Sequence, residues 1–267
     1  MAERPFRRVV LVCDAACDIR IAVADATILA RRWGAALHGV FFDDENLHRF
    51  AALPFGRPVS LSSTANPEGL TAGHMARLAS ALGSAMRREL SQAASEHGLD
   101  WSFGTIRDLP SAARFPSEEG DILVIEAAAR AFSGAWRPHS AWDKSPFAFP
   151  GTVLLKGRRH GGRGILVALP ADKAARDRVL AAGAAITDGE DDIALAGTNA
   201  ALRELDEAIA GHFSAGQRAR IKRVVLDEAP SALAQTIAQR KPGIVVLHAA
   251  SAGAKLDDVH ADTLLVK

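Results

Sequence analysis

Sulfur for cross-links is scarce in this chain, with two cysteines, Cys13 and Cys17, among 267 residues. That count excludes a disulfide framework, so the fold must rest on buried apolar surface. Charge of one sign is also lacking, because 32 basic side chains meet 31 acidic ones for a formal net charge of +1. Without a strongly basic face there is no electrostatic footprint for nucleic acid. Tyrosine is absent, and aromatics make up only 6% of the residues. The basic stretch Met1–Arg8 passes directly into the short apolar run Val9 to Cys13. Such a run is too short for a signal-peptide core or a membrane span, and a reducing cytoplasm is the expected location. Catalytic signatures are missing as well. Gly161-Gly162-Arg163-Gly164 lacks the Lys-Ser/Thr ending of a Walker loop, and no nucleophile elbow occurs. No Ser/His/Asp order stands out among nine histidines, so the expectation is a protein that is not an enzyme.

What the chain does have is alternation. Val9 to Cys13 is continuously apolar and β-branched, the pattern of a strand buried on both faces of a parallel sheet. Ala22, Ala26, Leu29 and Trp33 then fall at helical spacing from Asp18 onward, and Gly34 stops the helix. Leu37 to Phe42 reads as a second strand, and 43–69 as a long irregular stretch. Leu70, Met75, Leu78, Leu82, Met86 and Leu90 mark one face of a long helix ending near Gly98. Strands follow at 101–106, 121–125 and 152–156, with a short helix at 110–115. The Gly- and Arg-rich segment 156–163 reads as a linker, and beyond it the order returns. Strands are expected at 165–169, 193–196, 220–226, 243–247 and 263–266, with helices at 173–184, 199–213 and 230–239. Strands alternating with helices predict parallel sheets covered on both faces by right-handed crossovers. Two α/β domains are expected, 1–157 and 163–267.

The order and lengths of these elements resemble the universal stress protein family. Val9-Val10-Leu11-Val12-Cys13-Asp14 looks like that family's opening strand with its terminal Asp. Residues 24–38, ADATILARRWGAALH, resemble its first helix running into its second strand. The resemblance implies two tandem doubly wound, Rossmann-like sheets forming an internal pseudo-dimer. The strand at 152–156 would then lie beside the one at 263–266. The family's usual ligand is ATP or another adenine nucleotide, and its loop after strand four runs Gly-x-x-Gly, a nine-residue spacer, then Gly-Ser or Gly-Thr. On this chain the glycine positions fall at Glu126, Ala129 and His139, and the terminal hydroxyl is Ser140. The spacing is kept and all three glycines are gone. Glycines there permit positive φ and let backbone N–H groups approach phosphate oxygens, whereas Glu126 sets a carboxylate beside them. Arg130 and Arg137 are the nearby cations. In the second repeat Pro170 replaces the strand-end Asp, and about fifteen residues between Leu247-His248 and Thr263 leave no room for the loop. The altered loop argues against family-like triphosphate binding, and the resemblance leaves room for ATP or AMP in the first domain only.

Several residues carry two readings. Asp14 ends a strand at the carboxyl edge, where ligands sit; the resemblance implies contact with ribose or a phosphate-bound metal, and the other reading is a cap of the following helix. Val40 would lie against adenine and is equally a buried strand residue. Cys13 and Cys17 read as small buried hydrophobes, since no second pair completes a metal site. Asp257, Asp258, His260 and Asp262 read as a solvated turn before the last strand. Arg158, Arg159, His160 and Arg163 are an anion site or a solvated linker. Phe132, Trp136, Trp142, Phe147 and Phe149 pack beneath their loop or form a partner-binding patch. The apolar stretch Phe50 to Phe55 is a lid or a docking segment.

The function expected is a non-catalytic, stress-response-type binding or regulatory protein with a partial cleft in its first repeat. One alternative is an adenine-nucleotide binder with weak ATPase turnover, using Asp14, Val40, Ala129, Arg130 and Ser140. Another is an adaptor docking on a larger complex through Phe132–Phe149. A further homodimer is compatible with either, and neither nucleic acid nor a membrane span is expected.

Overall fold

The computed structural model describes residues 6–15, 17–52, 71–107, 118, 120–125, 151–156, 162–187, 190–203, 205–227, 229, 231–251 and 261–266. The first half contains β1 (Arg8–Cys13), α1 (Ile19–Trp33), β2 (Ala36–Phe42), α2 (Glu45–Ala51), α3 (Ala72–His97), β3 (Trp101–Ile106), β4 (Asp121–Ile125) and β5 (Thr152–Leu155). The second contains β6 (Ile165–Ala168), α4 (Lys173–Ile186), β7 (Ile193–Gly197), α5 (Asn199–Arg203), α6 (Asp206–His212), α7 (Ala215–Arg218), β8 (Ile221–Val225), α8 (Ala232–Arg240), β9 (Ile244–His248) and β10 (Asp262–Val266).

These strands form one ten-stranded sheet in the order β3-β2-β1-β4-β5-β10-β9-β6-β7-β8. Each half thus has its strands in the order third, second, first, fourth, fifth. Pairing within each half is parallel, and the halves meet where β5 runs antiparallel to β10. The meeting of the two final strands is the arrangement that the family resemblance implied.

The pleat sorts the side chains into two layers. Val9, Leu11 and Cys13 of β1 join Leu37, Phe41, Ile122, Val124, Leu154, Leu264 and Val246 on one face, beneath α1, α3, α4 and α6. Val10, Val12, Val40, Phe42, Leu123, Ile125, Val153 and Leu265 point to the other face, where α8 packs. Continuous burial of both faces explains why the strands read as unbroken apolar runs.

Helix ends follow the local chemistry. Asp18 caps α1 by accepting the Ile21 N–H at 3.3 Å, and Gly34 closes it in the left-handed conformation. Thr71 accepts the His74 N–H at the start of α3, and Asp172 accepts the Ala175 N–H at the start of α4.

Three expectations are corrected. The stretch 43–69 is not irregular throughout, because α2 forms within it, with Arg49 bonded to Glu45 at 2.7 Å one turn earlier. The single helix expected at 199–213 is two short ones, α5 and α6. Leu202, Leu205, Ile209 and Phe213 all bury on the same side, so their spacing survives the break between the two. On α3 the buried stripe runs through Ala79, Gly83, Met86, Leu90 and Ala94, while Leu78 is exposed. The N-terminal part of that helix therefore meets the sheet with small side chains.

Gly39 is required by the close approach of α3. A Cβ there would fall well inside van der Waals contact with Leu90 Cδ1 and 3.2 Å from Met86 Cε. We expect Gly39→Ala to destabilise the fold by about 1–3 kcal/mol through overpacking. In the Leu90→Ala background the added cost should be smaller. A urea-denaturation double-mutant cycle measures that coupling, and strictly additive losses would contradict it.

Beyond the β5–β10 ladder, side chains also cross between the halves. The Trp33 indole N–H at the end of α1 donates to the Ala185 carbonyl of α4 at 2.9 Å. Lys156, immediately after β5, donates to Asp262 at 2.6 Å and pairs with Asp25 of α1 at 3.0 Å. Burial disfavours the Lys156 ammonium, but its bonds and attraction to Asp262 and Asp25 prevail and hold its pKa above the ordinary value. Asp262 is thus no residue of a solvated turn. It opens β10 and binds the lysine of the other half.

Candidate functional site

In an open α/β sheet the ligand crevice lies outside the carboxyl ends of the strands, where the strand order reverses. That point falls between β1 and β4 in the first half and between β6 and β9 in the second. Val12 lies level with Val40 on one side and Ile125 on the other. The carboxyl ends of these three strands therefore form one edge, and Asp14 is the residue that follows β1.

Asp14 is 6% exposed, and its carbonyl accepts the Cys17 N–H at 3.2 Å. It is not the cap of α1, which corrects one of its two readings. Asp18 holds that position four residues on, after the chain has turned. Val40 is fully buried on the second face beside Val12 and Phe42. Ala129, Arg130 and Ser140 lie outside the described residues, as do Glu126, Arg137, His139 and the whole Phe132–Phe149 segment. The structure thus brings Asp14 and Val40 to neighbouring strands. Cys13 is in the core and Cys17 is half-buried at its margin, and no disulfide joins them.

The matching edge of the second half has different chemistry. β6 is followed by buried Leu169 and half-buried Pro170, and β9 ends in His248. The His248 Nε2 atom is buried and has no hydrogen-bond partner among the described residues. Asp257, Asp258 and His260 lie outside the described residues, as do Arg158, Arg159 and His160, while Arg163 is exposed. Among the described residues, no three His, Cys, Asp or Glu side chains are grouped to hold a metal ion.

At the opposite, amino-terminal end of the sheet, Arg8 clamps Asp121 with Nε at 3.2 Å and its terminal nitrogen at 2.6 Å. The Glu118 N–H adds a bond of 2.7 Å to the same carboxylate. The Arg8 bond to Asp121 raises the Arg8 pKa and ties β1 to β4 behind the crevice. His38 Nδ1 lies 2.7 Å from Ser102 Oγ nearby. Burial, then the charge of Arg8, lowers the imidazole pKa and favours its neutral form.

Sequence reasoning missed a second polar constellation. Asp43, just beyond β2, accepts from His48 Nε2 of α2 at 2.5 Å and from Arg107 Nε at 3.2 Å. Both Asp43 and Arg107 line a cavity of about 290 Å³ between α3 and the strands β2 and β3. One signal was available: Ser80, Ser84 and Arg87 recur at the spacing of one helical face.

No family model matches the chain, and no curated protein matches it either. Among solved structures it is similar to a "putative universal stress protein" from Pseudomonas aeruginosa UCBPP-PA14. The two are 13% identical, with 98% of this chain and 93% of that chain covered and a TM-score of 0.50. The chain has the Rossmann-like, mixed α/β fold of a universal stress protein. At this identity the likeness is one of fold. Among the described residues, no helix is long and apolar enough to cross a membrane.

Proposed function

We propose that the protein is a non-catalytic binding or regulatory module of the universal-stress-protein type. Its first half carries the ligand crevice and its second half serves as a structural partner. The observation supporting this reading is the inequality of two crevices on a matched sheet. A carboxylate, Asp14, stands at the mouth of one, and Leu169-Pro170 occupies the equivalent place in the other. That carboxylate lies at the carboxyl edge of the sheet, where ligands sit in open α/β folds.

Adenine-nucleotide binding is the second reading. It rests on Asp14 standing at the switch point with Val40 on the adjoining strand, and it assigns the phosphate loop to Ala129, Arg130 and Ser140. Calorimetric titration with ATP and AMP, with and without magnesium, separates the two. On the nucleotide reading, binding is micromolar, and Asp14→Ala weakens it at least about tenfold, or 1.4 kcal/mol. No heat at millimolar nucleotide, and no nucleotide carried through purification, would sink that reading. The Phe132–Phe149 segment then becomes the place to look for a protein partner.

A further inference from the structure

We propose that the cavity between α3 and β3 binds the oxyanion of a small molecule whose remaining body is flat and apolar. It lies on the face of the sheet opposite Val40, so the proposal stands whatever nucleotide titration gives.

Its floor is aromatic, made by Phe41 of β2 and Phe103 of β3, and its rim is polar. Ser84 and Arg87 come from α3, Thr105 comes from β3, and Arg107 follows directly after that strand. Two arginines, one from the helix wall and one from the strand wall, thus line one cavity, with hydroxyl-bearing residues beside them. The cavity sets convergent polar groups above an aromatic floor, and about 290 Å³ is near the lower end of the usual size for a small-molecule site.

The charge balance selects the ligand. One carboxylate, Asp43, reaches the rim, and it already accepts from His48 and from Arg107 Nε. Two arginines against one engaged carboxylate leave the rim net positive. The Arg107 side chain is 74% exposed, and its pairing with Asp43 at 3.2 Å uses one nitrogen. The contact with buried Asp43 engages Nε, so the terminal nitrogens of Arg107 can add a ligand oxyanion beside it. A carboxylate or phosphate would then meet Arg on both sides, with the charge-assisted bonds that guanidinium forms best.

Small side chains on this part of α3 leave the hollow above the two phenylalanine rings. Gly83 sits mid-helix over Phe41, where glycine costs about 1 kcal/mol relative to alanine. A Cβ there would lie 3.4 Å from Phe41 Cδ1, which is ordinary contact, so sterics would admit alanine. What the glycine preserves is the space above the two phenylalanine rings.

The test uses the full chain with phenyl phosphate, benzoate, inorganic phosphate and benzyl alcohol, followed by calorimetry and by amide chemical shifts. Phenyl phosphate or benzoate should bind at sub-millimolar to millimolar concentration and shift the amides of Ser84, Thr105 and Arg107. Whichever binds more tightly identifies the anion class. Benzyl alcohol and inorganic phosphate, each lacking half of the recognition, should bind at least tenfold more weakly. Arg87→Gln and Arg107→Gln should each weaken binding about tenfold with no change in melting temperature. Gly83→Leu should abolish binding by filling the cavity. Because that variant risks misfolding, the two exposed arginine variants are the decisive ones. Absence of binding by both aromatic anions at 10 mM, unchanged affinity in both arginine variants, or equal affinity for inorganic phosphate would overturn the proposal.

Discussion

Trp33→Ala is expected to cost about 3–5 kcal/mol, the usual range for removing a buried aromatic side chain. For a chain of this size that lowers the melting temperature by roughly 10 °C. The effect should be large because Trp33 does two things at once. Its ring, 5% exposed, packs edge-on against Phe6 with centroids 4.7 Å apart. Its N–H reaches the Ala185 carbonyl in the last turn of α4, where helix carbonyls have no partner within the helix. Gln217 serves the neighbouring Ala184 carbonyl at 3.1 Å, so side chains from elsewhere complete this helix end. Trp33→Phe keeps most of the packing and removes the donor, and a loss of about 1–2 kcal/mol is expected. Urea denaturation followed by circular dichroism measures both. A loss below about 1 kcal/mol for the alanine variant would show that the seam does not depend on this contact.

Lys156→Met should be nearly as damaging, at about 3 kcal/mol, because it leaves two carboxylates facing one another at a largely buried seam. Lys156 is only 10% exposed, with Asp25 at 27% and Asp262 at 14%. Replacing both aspartates by asparagine in the methionine background should recover much of the loss, since the uncompensated charge goes with them. The pH dependence has a definite sign. The lysine pKa is held above 10.5 in the folded chain, so its contribution is complete below that value. As pH climbs through the higher folded value, the ammonium deprotonates and the contribution is lost. Thermal melts from about pH 9 into stronger alkali should therefore fall more steeply for the natural chain than for Lys156→Met. Parallel curves would remove the lysine from the seam.

Much of the fold was legible because its signals are local. The run Val9 to Cys13 announces a strand buried on both faces, and Gly34 and Gly98 stop helices at the residues where the chain turns left-handed. The meeting of β5 with β10 could be anticipated only because the resemblance supplied it, since four-residue Thr152–Leu155 says nothing of its neighbour. Local signals also misled. The spacing of Leu202, Leu205 and Ile209 suits one helix or several that bury the same side. Met86 and Leu90 lie on the buried stripe as expected, but Leu78 does not, and the N-terminal part of α3 lies on the sheet through Ala79 and Gly83. The trio Asp25, Lys156 and Asp262, and the cluster Asp43, His48 and Arg107, were beyond reach. Their members are dispersed along the sequence, and charged residues spread in this way read as ordinary surface. Asp14 was visible as a strand-end carboxylate, but which residue capped α1 depended on how the chain turned between Asp14 and Asp18.

The ladder between β5 and β10 is centred on Leu154 opposite Leu264, with Val153–Leu265 and Leu155–Thr263 to either side. By that register Lys156 and Asp262 meet on one flank, and Thr152 lies level with Val266 on the other. Two separate, identical chains joined through such strands would have to repeat any ion pair on both flanks, because a two-fold axis copies every contact. A single chain is under no such rule, and here one flank is ionic while its counterpart pairs a hydroxyl with a valine. The association is also intramolecular, governed by an effective concentration that dilution cannot change. The join between the halves should therefore be indifferent to protein concentration, and each side of it can be altered without altering the other.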